Sequence, residues 1–103
     1  MTTLTFHNKP KALKIVIRSE KLIVDLVDGR TLAVPLEWYP RLAHAQRKEQ
    51  QNWNLLGNGY AIEWPDLDEH IGVEGLLAGN RSGESRKSFE RWLSSRKPRE
   101  LLE

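Results

Sequence analysis

Two turn signatures, Asp28-Gly29 and Gly57-Asn58-Gly59, set narrow limits on how this chain can fold. Each sits between short apolar runs, and Asp-Gly and Asn-Gly favour the left-handed backbone that hairpin turns need. Leu13 to Arg18 and Lys21 to Val27 read as strands joined by a tight turn at Ser19-Glu20. In the second run Leu22, Val24 and Leu26 form a wholly apolar face, and Ile23, Asp25 and Val27 a mixed one. Asp28-Gly29 leads to a third strand, Arg30 to Leu36, in which Pro35 marks an edge or a strand end. These runs predict a three-strand antiparallel meander.

Pro40 has the fixed φ of a first helical turn, and the good helix formers from Arg41 to Gln51 predict a helix over 41–51 that stops at Asn52. Tyr39, Leu42, Ala43 and Gln46 fall on its one weakly apolar stripe. Trp53 to Leu56 and Tyr60 to Trp64 predict a second hairpin, with Tyr60, Ile62 and Trp64 on one face and Pro65 as the stop. Asp66 and Glu69 have capping-box spacing and predict one helical turn. Val73 to Ala78 reads as a short helix closed by Gly79, and Gly79 to Gly83 as a linker. A last helix is expected from Glu84 to about Arg96, ended by Pro98, with Phe89, Trp92 and Leu93 as its apolar stripe.

The expected class is α+β: one antiparallel sheet of about five strands (three-strand meander, helix, hairpin), with helices on one face and a C-terminal helix. The expected division is a flexible lead-in over 1–12, a single domain over 13–80, and a basic C-terminal helix and tail over 81–103. A chain of 103 residues has room for one core. Trp38, Tyr39, Trp53, Tyr60 and Trp64 are expected to close that core rather than to line a ligand cage, because few other large side chains are present to fill it.

Several chemistries are excluded by composition. The chain has no cysteine, so it makes no disulfide, thiolate nucleophile or cysteine-ligated metal site. Met1 to Pro10 contain no apolar run, so no signal peptide is expected, and Leu22 to Val27 is too short to span a bilayer. A cytoplasmic location is the expectation that fits. The net charge of +2 says little by itself, but its distribution is uneven. From Arg81 to Arg99 seven basic residues meet two acidic ones, a net of +5 that leaves −3 for the rest.

The densest chemical cluster is Asp66, Asp68, Glu69 and His70. Carboxylates beside a histidine suit a divalent metal or acid–base work. As a calcium loop the run fails, since its sixth position is Ile71 rather than glycine and its twelfth is Leu77 rather than glutamate. Helix capping is the preferred reading of these carboxylates. His7 and His44 have no neighbour in sequence to work with, and no serine lies in a Gly-x-Ser-x-Gly elbow. Gly57-Asn58-Gly59 lacks the third glycine and the following helix of a dinucleotide loop. No catalytic residue, cofactor or metal is therefore expected. The interaction candidates lie on the terminal helix: Phe89, Trp92 and Leu93, surrounded by Arg86, Arg91 and Arg96.

Asp28-Gly29, Asn52-Trp53, Gly57 and the run Ile62-Glu63-Trp64-Pro65-Asp66-Leu67-Asp68-Glu69, with Leu76-Leu77-Ala78-Gly79 after it, resemble the domain of unknown function 2442 family. The resemblance spans roughly residues 13–80. It implies a small bacterial sheet-plus-helices module with no established activity. Members often sit beside another short reading frame in an arrangement similar to toxin–antitoxin pairs, which implies a protein partner. The first expectation is thus a non-enzymatic protein-interaction module, with a protein partner or self-association and no membrane. The second is an accessory nucleic-acid-binding regulator using the basic helix. The third is a metal-dependent enzyme at Asp66, Asp68, Glu69 and His70.

Overall fold

The structure, a computed structural model, describes residues 9–102, with the backbone alone over 97–102. His7 and most of the expected lead-in lie outside the described residues, as do the side chains of Lys97 and Arg99.

The meander forms as the sequence predicts. Strands β1 (Ala12–Arg18), β2 (Lys21–Leu26) and β3 (Thr31–Pro35) make an antiparallel sheet in that order. Ser19 and Glu20 both take positive φ, 51° and 61°, in the two-residue turn that suits the right-handed twist of a hairpin. Asp28 Oδ1 accepts from Arg30 N at 3.0 Å and stiffens the second turn. Leu22, Val24 and Leu26 are buried with Ile15, Ile17 and Val34, which fixes the inner face. One irregularity alters β1. Ala12 pairs with Leu26 but Lys14 with Asp25, so one extra residue is squeezed in. The bulge turns Leu13 outward, 61% exposed, and sends Ala12 into the core instead.

The expected helix over 41–51 is two short ones, α1 (Pro40–Ala43) and α2 (Arg47–Gln50). Gln46 between them has an extended ψ of 158°, and its N–H is taken by Glu49 Oε1 at 2.8 Å, a capping bond that starts a new helix. Leu42 is buried, but Ala43 and Gln46 are exposed, so the expected stripe covers only its first half.

The expected second hairpin forms, and a third strand extends it into a sheet of its own. It orders β4 (Asn54–Leu56), β5 (Ala61–Trp64) and β6 (Glu69–Gly72), all antiparallel. The molecule therefore has two three-stranded sheets, not one of about five. The helical turn expected at Asp66–Glu69 is the point of difference. Pro65–Leu67 make a single 3-10 turn, Asp68 swings to the left-handed region at φ 52°, and the chain doubles back as β6. Glu69 pairs with Trp64 across the ladder and caps no helix. Tyr60 does not share the face of Ile62 and Trp64. It still has helical φ/ψ at the end of the turn, one residue before the strand, and is 42% exposed with Lys11 Nζ 5.3 Å from its ring centre. Of the other aromatics Trp64 and Tyr39 are buried, and Trp38 and Trp53 pack half-buried against the core.

The two sheets meet backbone to backbone. Gly59, at φ 107°, lies so close to Ala12 that a Cβ there would overlap the Ala12 carbonyl oxygen. Only glycine meets both demands. Helix α3 (Val73–Leu77) follows β6 and buries Val73 and Leu76, and Gly79 closes it at φ 83°. Helix α4 (Arg86–Leu102) starts on Ser85, whose Oγ accepts from Ser88 N at 3.1 Å. It runs past Pro98 rather than stopping before it. A proline inside a helix deletes one ladder bond but leaves the flanking ones able to form.

Candidate functional site

The acidic run divides when the chain folds. Asp66 accepts from Asn52 Nδ2 at 3.0 Å on the side of α2. Asp68, Glu69 and His70 line a cleft of about 410 Å³ between β6, the end of α3 and the start of α4. The Asp68 side chain is fully exposed, 3.9 Å from Arg41, while Glu69 is half-buried. Among the described residues no three acidic, histidine or cysteine side chains converge as metal ligands.

Arg41 organises this cleft, and nothing in its neighbours along the chain marks it out. It stands on α1 in what reads as a solvated helix. Its Nε and Nη2 donate to the Glu84 carboxylate at 3.0 and 2.5 Å. Its Nη1 donates to the carbonyls of Leu67 and Asp68 at 2.9 and 3.2 Å, holding the turn that launches β6. Ser88 Oγ donates to Glu84 at 2.7 Å, and Tyr39 Oη to Asn80 O at 2.6 Å. The hydrogen bond from Arg41 holds the Glu84 carboxyl below the usual range, and the same bond raises the Arg41 guanidinium above its own. Burial pushes the Glu69 carboxyl up, against the pull of the His70 N–H and of Arg41. Burial, with Glu69 nearby, raises the Tyr39 phenol as well. The strongest polar groups of the cleft thus hold one another, and their work is to fasten the chain.

The interaction candidates on α4 divide too. Phe89 and Trp92 face the body half-buried, 5.8 Å apart and stacked, with His44 edge-on to Phe89 at 5.1 Å. Leu93 is half-buried beside them. Arg96 donates to Glu49 at 2.7 Å and lies 4.6 Å over the Trp92 ring, with Arg41 5.3 Å from the same ring. The Arg96 bond holds the Glu49 carboxyl below its ordinary value. Arg86 and Arg91 stay exposed, Arg86 pairing with Glu90 at 3.3 Å on the surface. The helix is therefore docked by two ion pairs, and its apolar stripe is largely spent on the body. No local signal links Arg41 to Glu84 or Glu49 to Arg96, since each pair is more than 40 residues apart in sequence.

A different surface carries free apolar area. On the outer face of the first sheet Val16, Ile23 and Ala33 stand in one row across the three strands. Val16 is 41% exposed, and beyond the Lys14–Asp25 row Val27 and Leu13 are 59% and 61% exposed. Lys14 and Asp25, 3.9 Å apart, stand on one side of the row, and Arg18 and Lys21 on the other. The signal for this surface is the β-branched Ile23 and Val27 on the mixed face of β2.

Comparison with known proteins places this geometry. The family model described as protein of unknown function, DUF2442, matches residues 12–82. A protein of unknown function from Rhodospirillum rubrum, known from a crystal structure, is 33% identical with a TM-score of 0.66, over 75% of this chain and 95% of that one. An uncharacterised protein from Chromobacterium violaceum, solved in solution, shares the fold at 19% identity and a TM-score of 0.63, over 84% of this chain and 78% of that one. No curated protein matches. Helix α4 begins beyond the matched segment.

Proposed function

This chain belongs to the DUF2442 family of proteins of unknown function, and from that premise we propose that it is a non-enzymatic protein-interaction module of the bacterial cytoplasm. Its partner is the small product of a neighbouring reading frame, in a toxin–antitoxin-like arrangement. The observation that carries this reading is the exposed apolar area on the outside of the first sheet, where Leu13, Val16 and Val27 are each more than 40% exposed. A face of this kind offers apolar area, while the cations along its borders favour a partner whose apolar patch is rimmed by carboxylates. In the cleft at Asp68, Glu69 and His70 the two strongest charges, Arg41 and Glu84, are already bonded to each other.

Co-expression with the neighbouring product tests this. The complex is expected to survive purification and to be lost in Val16→Asp and Val27→Asp while both variants stay folded. A partner retained equally by both, or no complex at micromolar concentration, sinks the proposal. A second reading has one observation in its favour: Arg86, Lys87 and Arg91 stand exposed on α4. An accessory nucleic-acid regulator would bind duplex DNA through them with a steep salt dependence. Anisotropy that stays flat at low salt removes that reading.

A further inference from the structure

The two edges of the first sheet are treated differently. At β1, a bulge interrupts the strand, Lys14 and Arg18 stand on it, and Arg47 Nη1 donates to the Ile17 carbonyl at 2.7 Å. Bulges, charges and covering side chains are the usual devices that protect an edge from pairing with another chain. At β3 the five residues Thr-Leu-Ala-Val-Pro carry no charge and contain no bulge. Only Pro35, at the end of the strand, resists extension.

The register shows which groups that edge offers. Leu26 N donates to Arg30 O at 2.8 Å, and Val24 pairs with Leu32 and Leu22 with Val34. Antiparallel pairs alternate between exchanging bonds and facing away. The peptide groups of Arg30, Leu32 and Val34 therefore face β2, and those of Thr31, Ala33 and Pro35 face outward. Among the described residues no hydrogen bond reaches the peptide groups of Thr31 or Ala33 from any other element.

We propose that β3 pairs antiparallel with β3 of a second copy of this chain, about a twofold axis at Ala33, to make one continuous six-stranded sheet. The symmetric register sets Ala33 against its mate, and the two exchange N–H···O=C bonds. It also sets Thr31 against the other copy's Pro35. The Thr31 N–H donates to the proline carbonyl, so the donor that proline lacks leaves only the Thr31 carbonyl without a strand partner. Charge argues for a second copy here and against one at β1. Self-pairing of β1 would bring Lys14 and Arg18 of two chains together, whereas β3 brings no charge to the axis. One strand back, Lys21 lies on the Pro35 row and Asp25 on the Thr31 row. Each copy's Lys21 thus shares a row with the other's Asp25, and the rows complement in sign. The apolar row Val16–Ile23–Ala33 continues unbroken through the axis, doubling the face assigned above to the partner.

Light scattering over a concentration series tests the pairing. The expected mass is twice the 11.9 kDa of one chain at high concentration. Ala33→Lys places two ammonium groups opposite each other while its side chain stays on the solvent face, and should weaken the dimer about tenfold or more with little change in Tm. Ala33→Pro deletes the outward N–H without touching the ladder to β2 and should act alike. Val16→Lys, two strands away, should leave the dimer intact. A monomer at every concentration overturns the proposal, and so does a dimer that survives both Ala33 variants. Partner capture is read separately: an Ala33→Lys monomer that still binds the neighbouring product leaves the interaction reading standing.

Discussion

Ile62, Trp64 and Leu67 lose all contact with solvent, whereas Trp92, where α4 meets the body, stays half-exposed between two guanidinium groups. The body coheres by apolar burial and by a backbone contact that only glycine allows. The helix adds to a half-buried apolar stripe two ion pairs, Arg41 with Glu84 and Arg96 with Glu49, side chains 12–18% exposed. Apolar burial does not titrate and is little screened, while ion pairs do both. The two regions should therefore part company under acid or by single substitutions.

The largest separation is expected from Trp64→Ala. The ring is fully buried and its Nε1 donates to Gln50 O at 3.1 Å, so its loss leaves a cavity and an orphaned carbonyl and should cost about 3–5 kcal/mol. Urea unfolding should show the whole chain weakened, helix included. Gly59→Ala comes next. It strains a positive φ and drives a methyl into the Ala12 backbone, which should cost about 2–4 kcal/mol and pull the sheets apart at that corner. A Gly59→Ala protein as stable as the parent would show that the two sheets are not locked there.

Arg41→Met should act on the helix and on the turn before β6, which its Nη1 holds, more than on the core. Breaking one side of a buried pair costs about 3–5 kcal/mol, and the residual exposure of both partners reduces this to about 2 kcal/mol, lost as undocking. Amide exchange over Ser88–Trp92 should quicken while β2 and β5 keep their protection. Equal acceleration throughout would mean that helix and body unfold as one unit.

Acid gives the smallest and most selective effect. Glu84 and Glu49 are held below the ordinary 4.5, each chiefly by an arginine hydrogen bond. A carboxylate depressed in the folded state adds stability above its unfolded value, and that stability is lost as pH falls through the folded one. Glu69, raised by burial, works the other way and gains on protonation. Below the ordinary carboxylate value the helix should loosen before the body. The indole N–H signal of Trp92 should move in that range while that of Trp64 holds.

The meander was legible because each of its decisions is local. Asp28-Gly29 fixes a turn, and the alternation of Leu22, Val24 and Leu26 fixes a face. The family could be read from the same kind of feature, the hairpin and the Trp64-Pro65 run. The bulge at Leu13 was not legible, since it answers to the close approach of Gly59, a residue nearly fifty positions away. β6 is hidden in the sequence because Asp66 and Glu69 have the spacing of a capping box, and what favours the turn over the helix, the pairing with β5 and the Arg41 bonds to Leu67 O and Asp68 O, comes from elsewhere in the chain. The acidic run is one cluster along the chain, and the fold sends Asp66 one way and Glu69 the other.

By itself the sequence determined the class of fold, the turns at Ser19-Glu20, Asp28-Gly29 and Gly57-Gly59 and the lack of any thiol chemistry, because those follow from residue type and near-neighbour spacing. The tertiary structure alone decided that the strands divide into two sheets, that the basic helix lies docked, and that free apolar surface sits on the meander instead. Those outcomes depend on which distant groups meet, and a carboxylate or a guanidinium carries nothing in its neighbours along the chain to say which opposite charge it will find.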